Sequence, residues 1–224
     1  MRIVVLTGAG ISAESGLRTF RAGDGLWEEH RLEDVATPEA YASDPSLVHR
    51  FYNARRSATS QAQPNAAHHA LAALQQQHDL TLVTQNVDDL HERAGSTQLI
   101  HMHGELAQAL CASCGHRWSS PAEMDVTTTC PSCRKATARP DIVWFGEMPY
   151  HMENIWKALE NAEIFAAIGT SGQVYPAAGF VQHARRNGAH CIELNIDPTA
   201  VSRDFHEHII GPATETVPEW VKEL

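Results

Sequence analysis

The chain has 224 residues, 43% of them apolar and 20% charged, with 17 Lys and Arg against 27 Asp and Glu for a net charge of −10. That length suits one α/β domain with a small insertion, and the composition is that of an ordinary globular protein. The acidity speaks against a duplex nucleic-acid binder, which carries a basic face. No apolar run reaches the ~18 residues of a membrane span, and strand-like residues start at position 3, leaving no room for a signal peptide. The expectation is a cytoplasmic protein with neither a membrane nor a nucleic-acid partner.

In chain order, the first element is a strand over residues 3–7 that runs into Gly8-Ala9-Gly10-Ile11-Ser12-Ala13. Four β-prone apolar residues followed by Gly-x-Gly-x-x-Ala open a βα nucleotide-binding unit. Gly8 takes the tight turn, Gly10 lets backbone N–H groups approach a pyrophosphate, and Ala13 lets the next helix pack close on the strand. Phosphate then sits at a helix N-terminus, where unpaired N–H groups favour an anion. Residues 23–62 show no convincing strand and read as a helical and loop insertion, with Pro45–Gln61 as its best helix.

A helix over 64–77 and a strand over 80–84 lead to Gln85-Asn86-Val87-Asp88, and a strand over 98–100 leads to His101-Met102-His103-Gly104. Further on come a helix over Met152–Asn161 and a strand over Ile164–Ile168 that ends in Gly169-Thr170-Ser171. A helix over 176–187 and a strand over 190–196, carrying Asn195-Ile196-Asp197, follow. Strands alternating with helices imply a parallel sheet covered on both faces, a Rossmann-like α/β fold. The domain boundaries read as 1–22, 75–106 and 141–224 for the Rossmann-like nucleotide-binding part, 23–74 for the helical insertion and 107–140 for a metal-binding module. Ligands of open α/β sheets bind beyond the carboxyl ends of the strands, and four such ends here carry polar groups. No second strand ends in an acid about 20 residues after the glycine loop, so the ribose of a dinucleotide is held differently and hydride transfer is not expected.

Residues 111–140 are polar and poor in large apolar side chains, too poor to build a core. Within them Cys111-x2-Cys114 and Cys130-x2-Cys133 present two knuckles for one tetrahedral Zn2+. Four protein ligands leave no open position, so the ion is structural. The fifth cysteine, Cys191, reads as a core residue, as does His101, and His116 as a solvated loop residue.

Together these residues resemble the sirtuin family of NAD-dependent protein deacylases. The motifs are GAGISAESGLRTFR at 8–21, QNVD at 85–88, HG at 103–104, the four cysteines, WFGE at 144–147, GTS at 169–171 and Asn195, in family order along nearly the whole chain. Val87 stands where isoleucine is commoner. The resemblance implies NAD as co-substrate, contacted by Gly8, Ala9, Gly10, Ala13, Glu14, Thr19, Phe20, Arg21 and Trp27. It places Gln85, Asn86, Val87 and Asp88 around the nicotinamide and its ribose, and Gly169, Thr170, Ser171, Asn195, Ile196 and Asp197 along the adenosine half, with Ala213 near the adenine. Asn86 and His103 are implied as catalytic, His103 as the general base for a ribose hydroxyl. The implied products are nicotinamide, free lysine and O-acyl-ADP-ribose. ADP-ribosyl transfer to protein, or a zinc ribbon that only senses NAD, are the rival readings.

The partner is then an acylated lysine side chain of a protein, handled by a monomer. An extended peptide is expected to add by backbone hydrogen bonds between residues 142–145 and 173–175, with Val143, Phe145, Gly146, Glu147 and Val174 as contacts. Tyr52 and Arg55 are three apart in the inserted helix and share a face; the Arg55 guanidinium can grip a carboxylate in bidentate fashion. This Tyr-x-x-Arg pair looks like the mark of class III sirtuins, which remove succinyl and malonyl groups, and Ala36 is similar to the small residue that widens their pocket.

Overall fold

The computed structural model describes residues 1–17, 26–27 and 30–224. Its strands are β1 (Arg2–Thr7), β2 (Leu26–Trp27), β3 (His30–Arg31), β4 (Asp79–Thr84), β5 (Leu99–His101), β6 (Gly104–Cys111), β7 (Arg117–Ser119), β8 (Ala138–Ile142), β9 (Ile164–Ile168), β10 (His190–Asn195) and β11 (Glu207–Ile210). Its α-helices are α1 (Leu32–Val35), α2 (Pro38–Ser43), α3 (Pro45–Gln61), α4 (Ala66–Gln77), α5 (Leu90–Arg93), α6 (Met152–Asn161), α7 (Phe180–Arg186) and α8 (Ala213–Lys222).

Six strands form one sheet in the order β11-β10-β9-β1-β4-β5, and every pairing in it is parallel. Parallel strands buried on both faces read as continuous apolar runs. β1 shows why: Val4 and Leu6 face one core with Leu159 of α6 and Phe180 of α7. Ile3 and Val5 face a second core with Leu71 of α4 and Trp220 of α8. Cys191 is fully buried in the first core.

A third core joins the insertion to the rest. Val35, Val48, Phe51 and Tyr52 pack against Leu106 of β6, Ile142 of β8 and Trp144. Helix α3 starts where Pro45 occupies the first turn and the Asp44 carboxylate accepts from the Leu47 amide at 2.9 Å, satisfying an end group that the helix itself cannot. Beside this core, β7-β6-β8 form a small antiparallel sheet.

Several expectations shift. The segment after β1 is a 3-10 helix over Ala9–Ser15, not an α-helix, and Ala13 is exposed instead of packing on the strand. The insertion holds a two-residue hairpin, β2 with β3, where no strand was expected. The helix expected over 176–187 is split into a 3-10 turn at Ala177–Gly179 and α7. Strands β6, β7, β8 and β11 and helix α8 were not anticipated.

Candidate active site

β1 lies between β4 and β9, so the chain crosses over to opposite sides of it, and the carboxyl edge at such a reversal opens a crevice. The crevice is a chamber of about 780 Å³. Every described residue that the sequence singles out for NAD or acyl-peptide lines it: Gly8, Ala9, Gly10, Ala13, Glu14, Gln85 to Asp88, His103, Gly169 to Ser171, Asn195 to Asp197 and Ala213, together with Tyr52, Arg55, Val143, Phe145, Gly146, Glu147 and Val174. Thr19, Phe20 and Arg21 lie outside the described residues, as does the side chain of Trp27.

The glycine loop owes its form to another loop. Gly10 N–H donates to the Gly169 carbonyl at 2.9 Å, and a Cβ on Gly10 would sit 2.6 Å from the Gly169 Cα. Gly169 itself has φ of +61°, a conformation that favours glycine. The glycines therefore also let two strand-end loops touch, a second reason for a residue without Cβ at position 10. A narrow cradle of backbone and small residues results, and it fits a dinucleotide.

Under this cradle lies a buried polar layer. Asn86 Nδ2 donates to the Gly8 carbonyl at 3.1 Å and to Ser12 Oγ at 3.2 Å, and Ser12 donates to Asp88 at 3.2 Å. His68 Nε2 lies 3.4 Å from Ser12 Oγ, and His91 Nε2 3.0 Å from Thr7 Oγ1. Burial raises the Asp88 pKa and depresses both imidazoles, His68 to about 4 and His91 well below its ordinary value. Both rings are thus neutral near pH 7. At the far end Asn195 Nδ2 donates to the Thr170 carbonyl at 2.7 Å, and Thr214 donates through both its amide and its hydroxyl to Glu14, at 3.1 and 2.7 Å.

His103 follows β5 and precedes β6. Its Nδ1 lies 3.2 Å from the Gln85 carbonyl, an acceptor, so Nδ1 carries the proton and Nε2 the lone pair. Burial lowers its pKa, which favours the neutral base. Gly104 beside it has φ of +80°, and a Cβ there would run into the Asp141 carbonyl of β8.

The opposite end of the chamber is made of side chains. Tyr52 is fully buried and Arg55 is 6% exposed; burial raises the Tyr52 pKa, so its hydroxyl stays protonated. Trp144 Nε1 donates to the Tyr52 hydroxyl at 3.0 Å. Arg139 lies over the Trp144 ring, 3.5 Å from its centroid, and grips Glu147 in bidentate fashion at 2.7 and 2.9 Å. Trp144 and Ser12 lie inside sequence motifs, but neither they nor Arg139 has a site role assigned from the sequence. An aromatic in the run Ile142-Val143-Trp144-Phe145 was the available signal for the first.

The amides of that run already have partners within the chain. β8 ends at Ile142, and the next three amides are engaged: Val143 with the His103 carbonyl, Trp144 with the Glu147 carboxylate and Phe145 with the Ala36 carbonyl. Residues 173–175 form no strand. Phe145 and Tyr175 line the chamber and are exposed at 46% and 73%, an apolar mouth to it.

The four cysteines are free of disulfides, and their Sγ atoms all lie within 4.8 Å of one another. Cys111 to Cys133 is 3.6 Å and Cys114 to Cys130 is 3.8 Å. Zn–S bonds of ~2.3 Å in a tetrahedron set S···S edges near ~3.8 Å, so the quartet fits a structural Zn2+.

The Sir2 family model matches residues 8–176. An NAD-dependent protein deacylase of Escherichia coli strain K12 is 57% identical over 228 residues, covering 100% of this chain and 82% of that one. Among solved structures, a Sir2 homolog–NAD complex superposes with a TM-score of 0.91 at 40% identity, covering 99% of this chain and 88% of the other. A Sir2 complex with a p53 peptide and NAD+ superposes with a TM-score of 0.80 at 28% identity, covering 99% and 90%. Reading glycine loop, polar strand ends and cysteine quartet together with these matches, we conclude that the chain belongs to the Sir2 family.

Proposed function

We propose that the chain is an NAD-dependent protein-lysine deacylase that removes succinyl and malonyl groups as well as acetyl. Family membership and the deacylases that match its whole length support the NAD-dependent reaction, and one observation carries the acidic preference. Arg55 and Tyr52, almost wholly removed from water, line the same chamber as His103. A guanidinium that lines a ligand chamber can hold a carboxylate through charge-assisted, bidentate hydrogen bonds that a neutral acetyl group cannot match.

Bound NAD supplies an electrophilic ribose carbon and nicotinamide as the leaving group. Gly8, Gly10, Gly169 and Ser171 hold the phosphate and adenosine half, with Asn195 fixing the Thr170 carbonyl. Asn86 and Asp88, tied to Ser12, form the wall of the nicotinamide side. His103 Nε2 receives a proton from a ribose hydroxyl, and its Nδ1–H stays on the Gln85 carbonyl throughout. Because burial lowers its pKa below that of an ordinary imidazole, the base stays neutral and competent across neutral pH and is lost only in acid. Val143, Phe145, Gly146 and Val174 border the entry for the peptide. Since the amides at 143–145 are engaged within the chain, Phe145 and its apolar neighbours supply more of that contact than edge hydrogen bonds do.

Free thiols suit a reducing cytoplasm, and no helix among the described residues is long and apolar enough to cross a membrane. The proposed division is into an NAD-binding part (1–22, 75–106, 141–224), an insertion (23–74) and a metal module (107–140), with β6 and β8 crossing the module's two boundaries and α4 packed on the main sheet.

Nicotinamide release with NAD and matched succinyl- and acetyl-lysine peptides, with the peptide product weighed by mass, tests the reading. Both peptides should lose their acyl groups. Arg55→Met should lower desuccinylation by roughly tenfold to a hundredfold, the worth of a charged hydrogen bond, and deacetylation by less than threefold. Equal loss would remove the acidic pocket from the proposal, and label from NAD left on protein without deacylated lysine would turn it to ADP-ribosyl transfer.

A further inference from the structure

We propose that His101, held as an imidazolium, is a positioning residue that fixes the Gln85–Asn86 turn for the reaction. The proposal rests on the reading that Asn86 and His103 serve deacylation. His101 ends β5 at the register position opposite Thr84, the last residue before that turn. Its Nδ1 lies 3.1 Å from the Asn86 carbonyl and its Nε2 lies 2.7 Å from a Glu92 carboxylate oxygen. A carbonyl and an ionised carboxylate can only accept. A neutral imidazole has one N–H, so both contacts are satisfied together only when both nitrogens are protonated.

The surroundings favour that charge. Glu92 comes from α5 and Glu105 from β6, and their carboxylates cluster with the ring within 4.8 Å. Asp88 acts on it from the turn. His91 of α5 is the opposing group, but burial keeps it neutral. Burial works against a charged His101 too, yet the hydrogen bond and charge of Glu92 outweigh it and raise the pKa above its ordinary 6.5.

His103 stands two residues on, and its Nδ1 lies 3.2 Å from the carbonyl of Gln85. Two histidines thus hold two consecutive carbonyls, one outside the chamber and charged, one inside it and neutral. The grip matters because the Asn86 side chain reaches across to Gly8 and Ser12. When His101 loses a proton, one of its two contacts must go, and the turn that carries Asn86 is released. The charged form is present below the raised pKa and is lost as pH rises through it. Activity should therefore have an acid limb from His103 and an alkaline limb from His101.

The test compares the full-length, zinc-loaded protein with Glu92→Gln, which keeps the acceptor and the volume but removes the charge. Measured as kcat/KM for NAD against pH, the alkaline limb should move down by about one pH unit or more, while the acid limb stays and the two profiles converge at their acid end. A uniform drop at every pH, or superimposable profiles, would overturn the proposal. An NMR titration of the His101 ring reads the same proton without turnover. It should show the alkaline limb's pKa in the unmodified protein and its fall in Glu92→Gln. A ring already neutral at pH 7 would overturn the positioning role. Should the unmodified protein release no nicotinamide at any pH, the deacylase reading fails instead, and the His101 titration with the Gln85 and Asn86 amide shifts still decides whether the grip exists.

Discussion

The two ends of the chamber are made of different material. At one end Gly8, Gly10 and Gly169 press backbone against backbone, and the buried layer of Ser12, Asn86, Asp88, His68 and His91 lies beneath them. At the other end, Tyr52, Trp144, Arg139 and Glu147 form a chain of side chains anchored on α3 and β8. A site made of main chain suits a ligand that never changes, because few substitutions can adjust it. A site made of side chains can be retuned one residue at a time, which suits an acyl group that differs between substrates.

Gly10→Ala should produce the largest effect, since the added methyl meets backbone and not a movable side chain. We expect NAD affinity by calorimetry to fall more than a hundredfold, with a lowered melting temperature. Stripping the metal acts on the other end. Chelation should release one Zn2+ per chain and unfold β7-β6-β8, because such modules draw their stability from the ion. Deacylation should then fall by roughly a hundredfold, while NAD binding changes only a few-fold; equal loss of both would erase the distinction between the ends.

Acid sharpens the comparison from below the cofactor end. The His68 pKa is depressed from 6.5 to about 4 in the folded protein, so the folded state binds fewer protons than the unfolded one between these values. Its contribution is complete above pH 6.5 and is lost as pH falls toward 4, amounting to up to ~3 kcal/mol. Urea unfolding of His68→Gln should show a flatter decline over that window. The smallest effect belongs to Trp144→Phe, which keeps an aromatic ring under Arg139 but removes the donor to Tyr52. Loss of one hydrogen bond, ~1 kcal/mol, should cost about fivefold in desuccinylation and leave the KM for NAD within twofold.

How much of this could be read from the chain depended on where each residue finds its partner. Helices Pro45–Gln61 and Met152–Asn161 and strand Ile164–Ile168 form as read, because local apolar spacing and caps decide them. β6 went unread: Glu105 and Gln108 interrupt its apolar pattern, and it is a strand only because β7 and β8 flank it. β8 contains Pro140, and β11 is an edge strand with a polar half. At the site, the lining residues were legible because glycines and polar groups at strand ends are unusual. The reasons for them were less so. That Gly10 faces Gly169, or that Arg139 steadies Tyr52 through Trp144, depends on contacts between residues 159 and 92 positions apart.

The bond between Glu14 and Thr214 spans 200 residues, and it has a consequence for the birth of the protein. A ribosome adds ~5–20 residues per second, so the loop that makes the first wall of the chamber waits roughly 10–40 s for its last. Until β9 emerges, one side of β1 has no neighbour to pair with. The nascent chain is therefore exposed longest at a strand that the finished molecule buries along nearly its whole length, and it is there that a chaperone would be needed.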